Sequence, residues 1–207
     1  MRFYRPFFPA RIFYPGGIFR FGSERKALCI TFDDGPHPDS TGRLLEVLRR
    51  YDVPAVFFCN GKAAEKHPNI IAEIRAAGHV TGNHGYEHID GFHSNKKAYL
   101  GNAEKAEPFT SPRIFRPPFG RLTPCQYRSL AKKYDLVFWD IMPYDFDKNI
   151  SPGKSYRILR QNLRPGSVIV FHDTPSSHVH IYLDDFIRHA LGLGYGFEIP
   201  PKLKQLT

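Results

Sequence analysis

The chain predicts an α/β fold on a mostly parallel sheet of about seven strands, one short of an eight-stranded TIM-like barrel. Three observations carry that prediction. From Ala27 onward, short apolar runs suited to strands buried on both faces alternate with helix patterns. Polar clusters follow directly on those runs, as they do where parallel strands deliver their C-terminal ends to one face. With 207 residues, 42% of them hydrophobic and including 18 Phe and 11 Tyr, the chain suffices for one domain with an aromatic core.

The elements follow in order. Residues 1–24 are basic, aromatic and proline-rich, and read as an irregular segment packing its aromatics on a domain of residues 25–207. Arg11, Pro15 and Arg20 interrupt its apolar stretches, so no signal-peptide core of the usual length is expected. No run reaches the ~20 apolar residues of a membrane span. That pattern fits a cytoplasmic placement or one peripheral to a membrane or cell envelope. Strands are expected at Ala27–Phe32, Ala55–Cys59, His79–Gly82, Ile114–Arg116, Leu136–Asp140, Ser167–Phe171 and Phe197–Ile199. Between them, Leu44, Leu45, Val47 and Leu48 form an apolar stripe behind the cap candidates Asp39 and Ser40. Ile70, Ile71 and Ile74 run to a stop at Gly78. Thr123-Pro124 and Ser151-Pro152 each place a capping hydroxyl before proline at the first helical position. Asn95–Glu107 reads as a further helix, and Leu183, Phe186, Ile187, Ala190 and Leu191 mark the last.

Net charge is +9, from 29 basic and 20 acidic residues, which suits an anionic surrounding such as cell wall or membrane surface. The basic residues are dispersed rather than clustered, which argues against a nucleic-acid partner. Cys29, Cys59 and Cys125 are widely spaced and form no CxxC pair, so neither a disulfide scaffold nor a cysteine metal site is expected. The pattern carries no signal for oligomeric state.

The chemistry concentrates in Thr31-Phe32-Asp33-Asp34-Gly35-Pro36, His84-Gly85-Tyr86-Glu87-His88, Arg116-Pro117-Pro118-Phe119-Gly120, Asp140 through Asp147, and His172-Asp173. Two neutral imidazoles and one carboxylate make an open metal site. Adjacent Asp33 and Asp34 allow one carboxylate to bind the metal while its neighbour accepts a proton from water. Asp-Gly is also a frequent turn dipeptide, yet a plain turn does not require two charges at the end of an apolar strand. Seven other histidines (His37, His67, His79, His93, His178, His180 and His189) match no motif and read as surface or helix-terminal residues, with His178 and His180 placed to edge a groove. Trp139, at the end of a strand, reads as core, with a sugar-stacking platform as the alternative.

In order and spacing these clusters resemble the polysaccharide deacetylase (NodB-homology) family, from about Ala27 to Asp173. The resemblance implies a distorted (β/α) barrel that hydrolyses N-acetyl, and sometimes O-acetyl, groups on sugar polymers, with peptidoglycan or an N-acetylglucosamine oligomer as the substrate expected here. It implies Asp33 as the base acting on metal-bound water, with Asp34, His84 and His88 as ligands of a divalent metal. Zinc is the first choice, and cobalt, nickel and manganese also suit such donors. His172 would protonate the leaving amine, Asp145 would tune that acid, and Arg116 would orient Asp33 in a bidentate grip. The backbone N–H of Phe119 would help to stabilise the oxyanion.

Four positions depart from the family pattern. Gly85 stands where Ser or Thr is common, Phe119 where Tyr is, Phe146 where Trp is and Met142 where a further Asp often lies; Gly85 implies one lost loop-supporting hydrogen bond. A small amide or cyclic imide as substrate, and a glycan-binding protein without turnover, are alternatives to be separated by substrate screens. Fe(II) oxygenase chemistry would use a similar ligand set, but the neighbouring carboxylate and opposing histidine fit hydrolysis better.

Overall fold

The structure is a computed structural model that describes residues 4–6, 10–22, 25–110 and 113–204. Its elements are α1 (Ala10–Phe13), β1 (Ala27–Asp33), α2 (Thr41–Arg50), β2 (Ala55–Cys59), α3 (Gly61–Lys66), α4 (Pro68–Ala76), β3 (Val80–Asn83), α5 (Lys96–Ala106), β4 (Ile114–Phe115), α6 (Pro124–Leu130), β5 (Asp135–Leu136), α7 (Pro152–Asn162), β6 (Ser167–His172), α8 (Leu183–Gly192), β7 (Gly196–Phe197) and α9 (Pro201–Lys204). The strands run in parallel in the order β5-β4-β3-β2-β1-β6, with β7 pairing β1 beyond that path. This is the expected α/β fold, a curled sheet of seven strands in a distorted barrel.

The expected strands all appear, with edges shifted. The segment expected at Leu136–Asp140 differs most, because its backbone changes partner along its length. Val137 N–H donates to Phe115 in β4, Phe138 N–H to Ile18, and Asp140 N–H to Val168 in β6. A strand that switches neighbours leaves isolated bridges in place of a ladder, here Ile18 with Val137 and Ile141 with Ile169.

The chain before β1 therefore does more than lie on the outside. Ile18 donates to Leu136, Arg20 bridges Ser167, and Phe21 donates to Gly166, so residues 18–21 occupy the seam between the β5 and β6 edges. Tyr14 and Phe19 are buried and stack on Phe138 with ring centroids 4.9 and 4.6 Å apart. Farther up, Arg5 donates to buried Asp140 at 2.7 Å, and Arg164 and Ser167 complete the surroundings of that carboxylate. Asp140 thus anchors this segment and takes no part in the site. Residues 1–3, 7–9 and 23–24 of the expected N-terminal segment lie outside the described residues.

One face of the sheet packs on α2, α7 and α8 through Leu44, Leu48, Ile158, Leu159, Phe186 and Ile187. Inside the curl, Cys29, Val56, Phe58, Val80, Ile114, Val137 and Val168 form an apolar plug closed by Ile199 and by Leu203 of α9. Cys29 and Cys59 are fully buried, and burial pushes the Cys29 thiol up to about 12. They are apolar filler, as expected. Above this plug the polar side chains Thr31, Asp33, His84 and Arg116 are buried, which places the candidate chemistry at the C-terminal ends of the strands.

Gly166 tests the seam. It adopts φ +77°, and a Cβ there would overlap the Phe21 carbonyl. Gly166→Ala should destabilise the protein by about 1–3 kcal/mol, read as a lower urea midpoint at constant slope. An unchanged midpoint would contradict the role assigned to residues 18–21.

Candidate active site

β1 ends in Asp33, and Asp34 follows in a left-handed conformation with φ 76°. β3 ends in Asn83, from which the chain turns through His84 and Gly85 to His88. These turns bring Asp34 Oδ1 to 3.5 Å from His84 Nε2 and 3.4 Å from His88 Nε2. One donor atom from each of the three side chains lies within 4.8 Å of the others. Tetrahedral zinc with bonds of ~2.0–2.1 Å requires donors about 3.3 Å apart, so this spacing fits. The tautomer fits too. His84 Nδ1 lies 2.9 Å from the Arg116 carbonyl, to which only an N–H can donate, leaving the Nε2 lone pair facing Asp34. Burial lowers the His84 pKa against the pull of Asp33 and Asp34, which favours the neutral ligand form.

The loop carrying these histidines is held without the missing hydroxyl at Gly85. The Asn83 side chain accepts from Gly85 N–H at 2.7 Å. The Asn102 side chain accepts from Glu87 N–H and donates to the Glu87 carbonyl, both at 2.9 Å. Gly85 itself has φ +80°, and a Cβ there would stand 2.6 Å from Asn102 Nδ2. Two asparagines thus fill the space beside Gly85 and hydrogen-bond the loop. Neither was singled out from the sequence, and only Asn102's position inside the α5 helix pattern could have drawn attention to it.

Beside this cluster, Asp33 meets Arg116. The guanidinium is fully buried above the Phe58 ring, 4.1 Å from its centroid. Its Nη1 donates to Asp33 Oδ1 at 2.7 Å and to Thr31 Oγ1 at 2.6 Å, and Nη2 and Nε donate to the carbonyls of Phe138 and Val137. The expected bidentate grip is corrected here. Arg116 spends a single nitrogen on Asp33 because its other donors satisfy backbone carbonyls across the barrel, and the second Asp33 oxygen stays out of that pair.

On the opposite wall, His172 Nδ1 lies 3.0 Å from Asp145 Oδ1, and His172 N–H donates to Asp145 Oδ2 at 2.8 Å. Ser177 Oγ adds a third donor to that carboxylate. Burial pulls the His172 pKa down, but Asp145, with Asp34 and Asp33 behind it, outweighs this and carries it up to about 9. His172 therefore holds its proton at neutral pH.

Asp33, Asp34, His84, His88, Phe119 and His172 line one groove of about 540 Å³. Trp139, Met142, Tyr144 and Phe146 are among its other wall residues, so Trp139 belongs to the groove and not to the core. Phe119 and Phe146 are 53% and 40% exposed, and each ring meets a site histidine edge-on: Phe119 with His88 and Phe146 with His172, both at 4.4 Å between centroids. Phe119 has φ 59° in a tight turn between Pro118 and Gly120. Of the remaining histidines, His79 is buried rather than exposed, accepts from Ala55 N–H, and is lowered by burial to about 4. His178 bonds Ser155, and His180 borders a smaller neighbouring cavity that shares the His172 and Thr174 walls.

The polysaccharide deacetylase family profile matches residues 22–139. That span contains Asp33, Asp34, His84, His88, Arg116 and Phe119, whereas Asp145 and His172 lie beyond its end. Among curated proteins, the chain is 34% identical to a peptidoglycan-N-acetylglucosamine deacetylase of Bacillus cereus, with 76% of this chain and 59% of the relative covered. It therefore spans about three-fifths of that protein. It is 32% identical to a chitooligosaccharide deacetylase of Azorhizobium caulinodans, with 76% and 79% covered. Among solved structures, a peptidoglycan N-acetylglucosamine deacetylase superposes with a TM-score of 0.83 at 31% identity, covering 91% of this chain and 92% of the other.

Arg116 is the element on which the geometry rests most heavily. Arg116→Met leaves Asp33 buried without its cation and should cost about 3–5 kcal/mol in chemical denaturation. Adding Asp33→Asn should recover part of that loss, and strict additivity of the two changes would contradict the direct coupling.

Proposed function

Because the chain belongs to the polysaccharide deacetylase family, we propose that it is a metal-dependent hydrolase removing N-acetyl groups from an N-acetylated glycan, peptidoglycan or an N-acetylglucosamine oligomer. The observation that carries this reading is the convergence of Asp34, His84 and His88 beside an Asp33 held by Arg116, across one groove from the His172–Asp145 pair.

Asp34, His84 and His88 would hold the divalent metal, with zinc the first choice and cobalt, nickel or manganese also compatible with these donors. When bound, such an ion lowers the pKa of water and stabilises oxyanion charge. The protein's own groups do the rest. Arg116 fixes Asp33 through Oδ1, and the second oxygen takes the proton of the attacking water. Phe119, lining the groove beside His88, supplies its backbone N–H to the oxyanion. His172, oriented through Nδ1 by Asp145, gives the Nε2 proton to the departing amine. The open groove with exposed Phe119 and Phe146 and half-buried Trp139 suits a polymer lying across it better than a small amide enclosed in a pocket.

Peripheral contact with an anionic membrane or cell wall is supported by α1, where Ile12 and Phe13 are 68% and 64% exposed beside Arg11. Among the described residues no helix is long and apolar enough to cross a membrane.

Acetate release from acetylated chitooligosaccharides or peptidoglycan should disappear on chelation and return with added metal. Asp33→Asn should lower kcat by about 10²–10⁴-fold with metal still bound. Sugar binding with no release of acetate under these conditions would favour a protein without turnover. The alkaline limb of kcat should follow His172. Its proton is retained below about 9 and lost above, so activity falls as pH rises through that value. Asp145→Asn removes the raising charge and should move this limb down by about 1–3 pH units; an unmoved limb would remove His172 from the acid role.

A further inference from the structure

Asp173 is a buried carboxylate for which the reaction described above has no use. It is 1% exposed, and among the described residues no salt bridge reaches it. Burial is the main force on it and pushes its pKa up to about 6, against the hydrogen bonds of Ser40 and Thr41 that pull it down. A charge kept in such a place needs a structural reason.

Its contacts supply one. Asp173 N–H donates to the Asp33 carbonyl at 2.7 Å, tying the end of β6 to the end of β1. Its carboxylate receives Ser40 Oγ at 2.5 Å on one oxygen and Thr41 Oγ1 at 2.6 Å on the other. Thr41 Oγ1 in turn accepts from His37 N–H at 2.8 Å, so the far side of the turn is tied to the same carboxylate. Between these ties, Gly35 packs so closely on the carboxylate that a Cβ would overlap it. The start of the stretch from Asp33 to Thr41 is thus held by the Asp173 backbone, and its middle and far end bear on the Asp173 carboxylate. The residue with the least favourable backbone in that stretch is Asp34, whose φ of 76° persists only where the surroundings impose it.

We propose that Asp173 is a positioning residue that clamps the turn after β1, so that Asp34 is presented to His84 and His88 while Asp33 stays on Arg116. The inference rests on the reading of Asp34, His84 and His88 as metal ligands. It also accounts for Ser40, which stands at the start of α2 yet makes no side-chain cap there because its hydroxyl is given to Asp173.

The test measures Co²⁺ affinity by competition with a chromophoric chelator, together with thermal unfolding of the metal-free protein and kcat on an acetylated chitooligosaccharide. Asp173→Asn keeps one acceptor oxygen, and Asp173→Ala keeps none. The Asn variant should weaken Co²⁺ binding about tenfold and the Ala variant further, within the ~10–100-fold range for groups that orient metal ligands. In both, kcat should fall along with affinity. Thermal unfolding shifted alone, with Co²⁺ affinity and kcat within about twofold of wild type, would overturn the proposal and leave Asp173 a fold staple. If neither variant folds, Thr41→Val breaks the same clamp from the other side. It should weaken Co²⁺ binding several-fold, and an unchanged affinity there would overturn the proposal equally. A wild-type protein that binds no Co²⁺ would overturn the metal reading and this inference together, whereas a binding wild type with unaffected variants would overturn the inference alone.

Discussion

The buried pairing of Arg116 with Asp33 is the constraint around which the site is organised. A guanidinium cannot be left dry and uncompensated, so each of its three nitrogens needs an acceptor. Asp33 and Thr31 in β1, and the carbonyls of Val137 and Phe138 beyond β5, meet that demand. The same residue's carbonyl orients His84, and its N–H closes onto Asn83 at the end of β3. One side chain and its own peptide group thereby link Asp33 to His84. The apolar plug beneath, ending in the Phe58 face, keeps water from competing for those contacts.

Much of this was legible in the amino-acid order, for reasons that are local. Thr123 and Ser151 cap their helices because the cap acts on backbone three residues away, and Thr123 completes a reciprocal pair with Gln126. The long strands β1, β2 and β6 were visible because burial on both faces leaves a nearly unbroken apolar run. The motif residues came together for a related reason, since each follows a strand of one parallel sheet and parallel strands deliver their C-terminal ends to one face.

What was hidden depends on partners far along the chain. Ser40 looked like a helix cap, yet its hydroxyl is committed to a carboxylate at position 173. Asn83 and Asn102 support the histidine loop, a duty no pattern announces. Trp139 lies on the groove because Gly120, at φ 66°, brings its backbone against the indole, a contact invisible without coordinates. His79 sits in the interior with its Nδ1 accepting from Ala55, where composition alone suggested a surface ring. The helix α3 escaped notice because it is only six residues long, although Asn60 caps it from just outside.

Residues 18–21 occupy the seam where an eighth strand would otherwise stand, pairing with chain segments that come much later. The seam is complete only once β6 has docked. Residues 18–21 must therefore wait for partners up to about 150 positions further along the chain, and the loop-closure entropy of that pairing is met only once β6 is in place. Closure of the seam should be a late, non-local zippering step, whose rate changes in the seam would alter far more than they would alter early collapse.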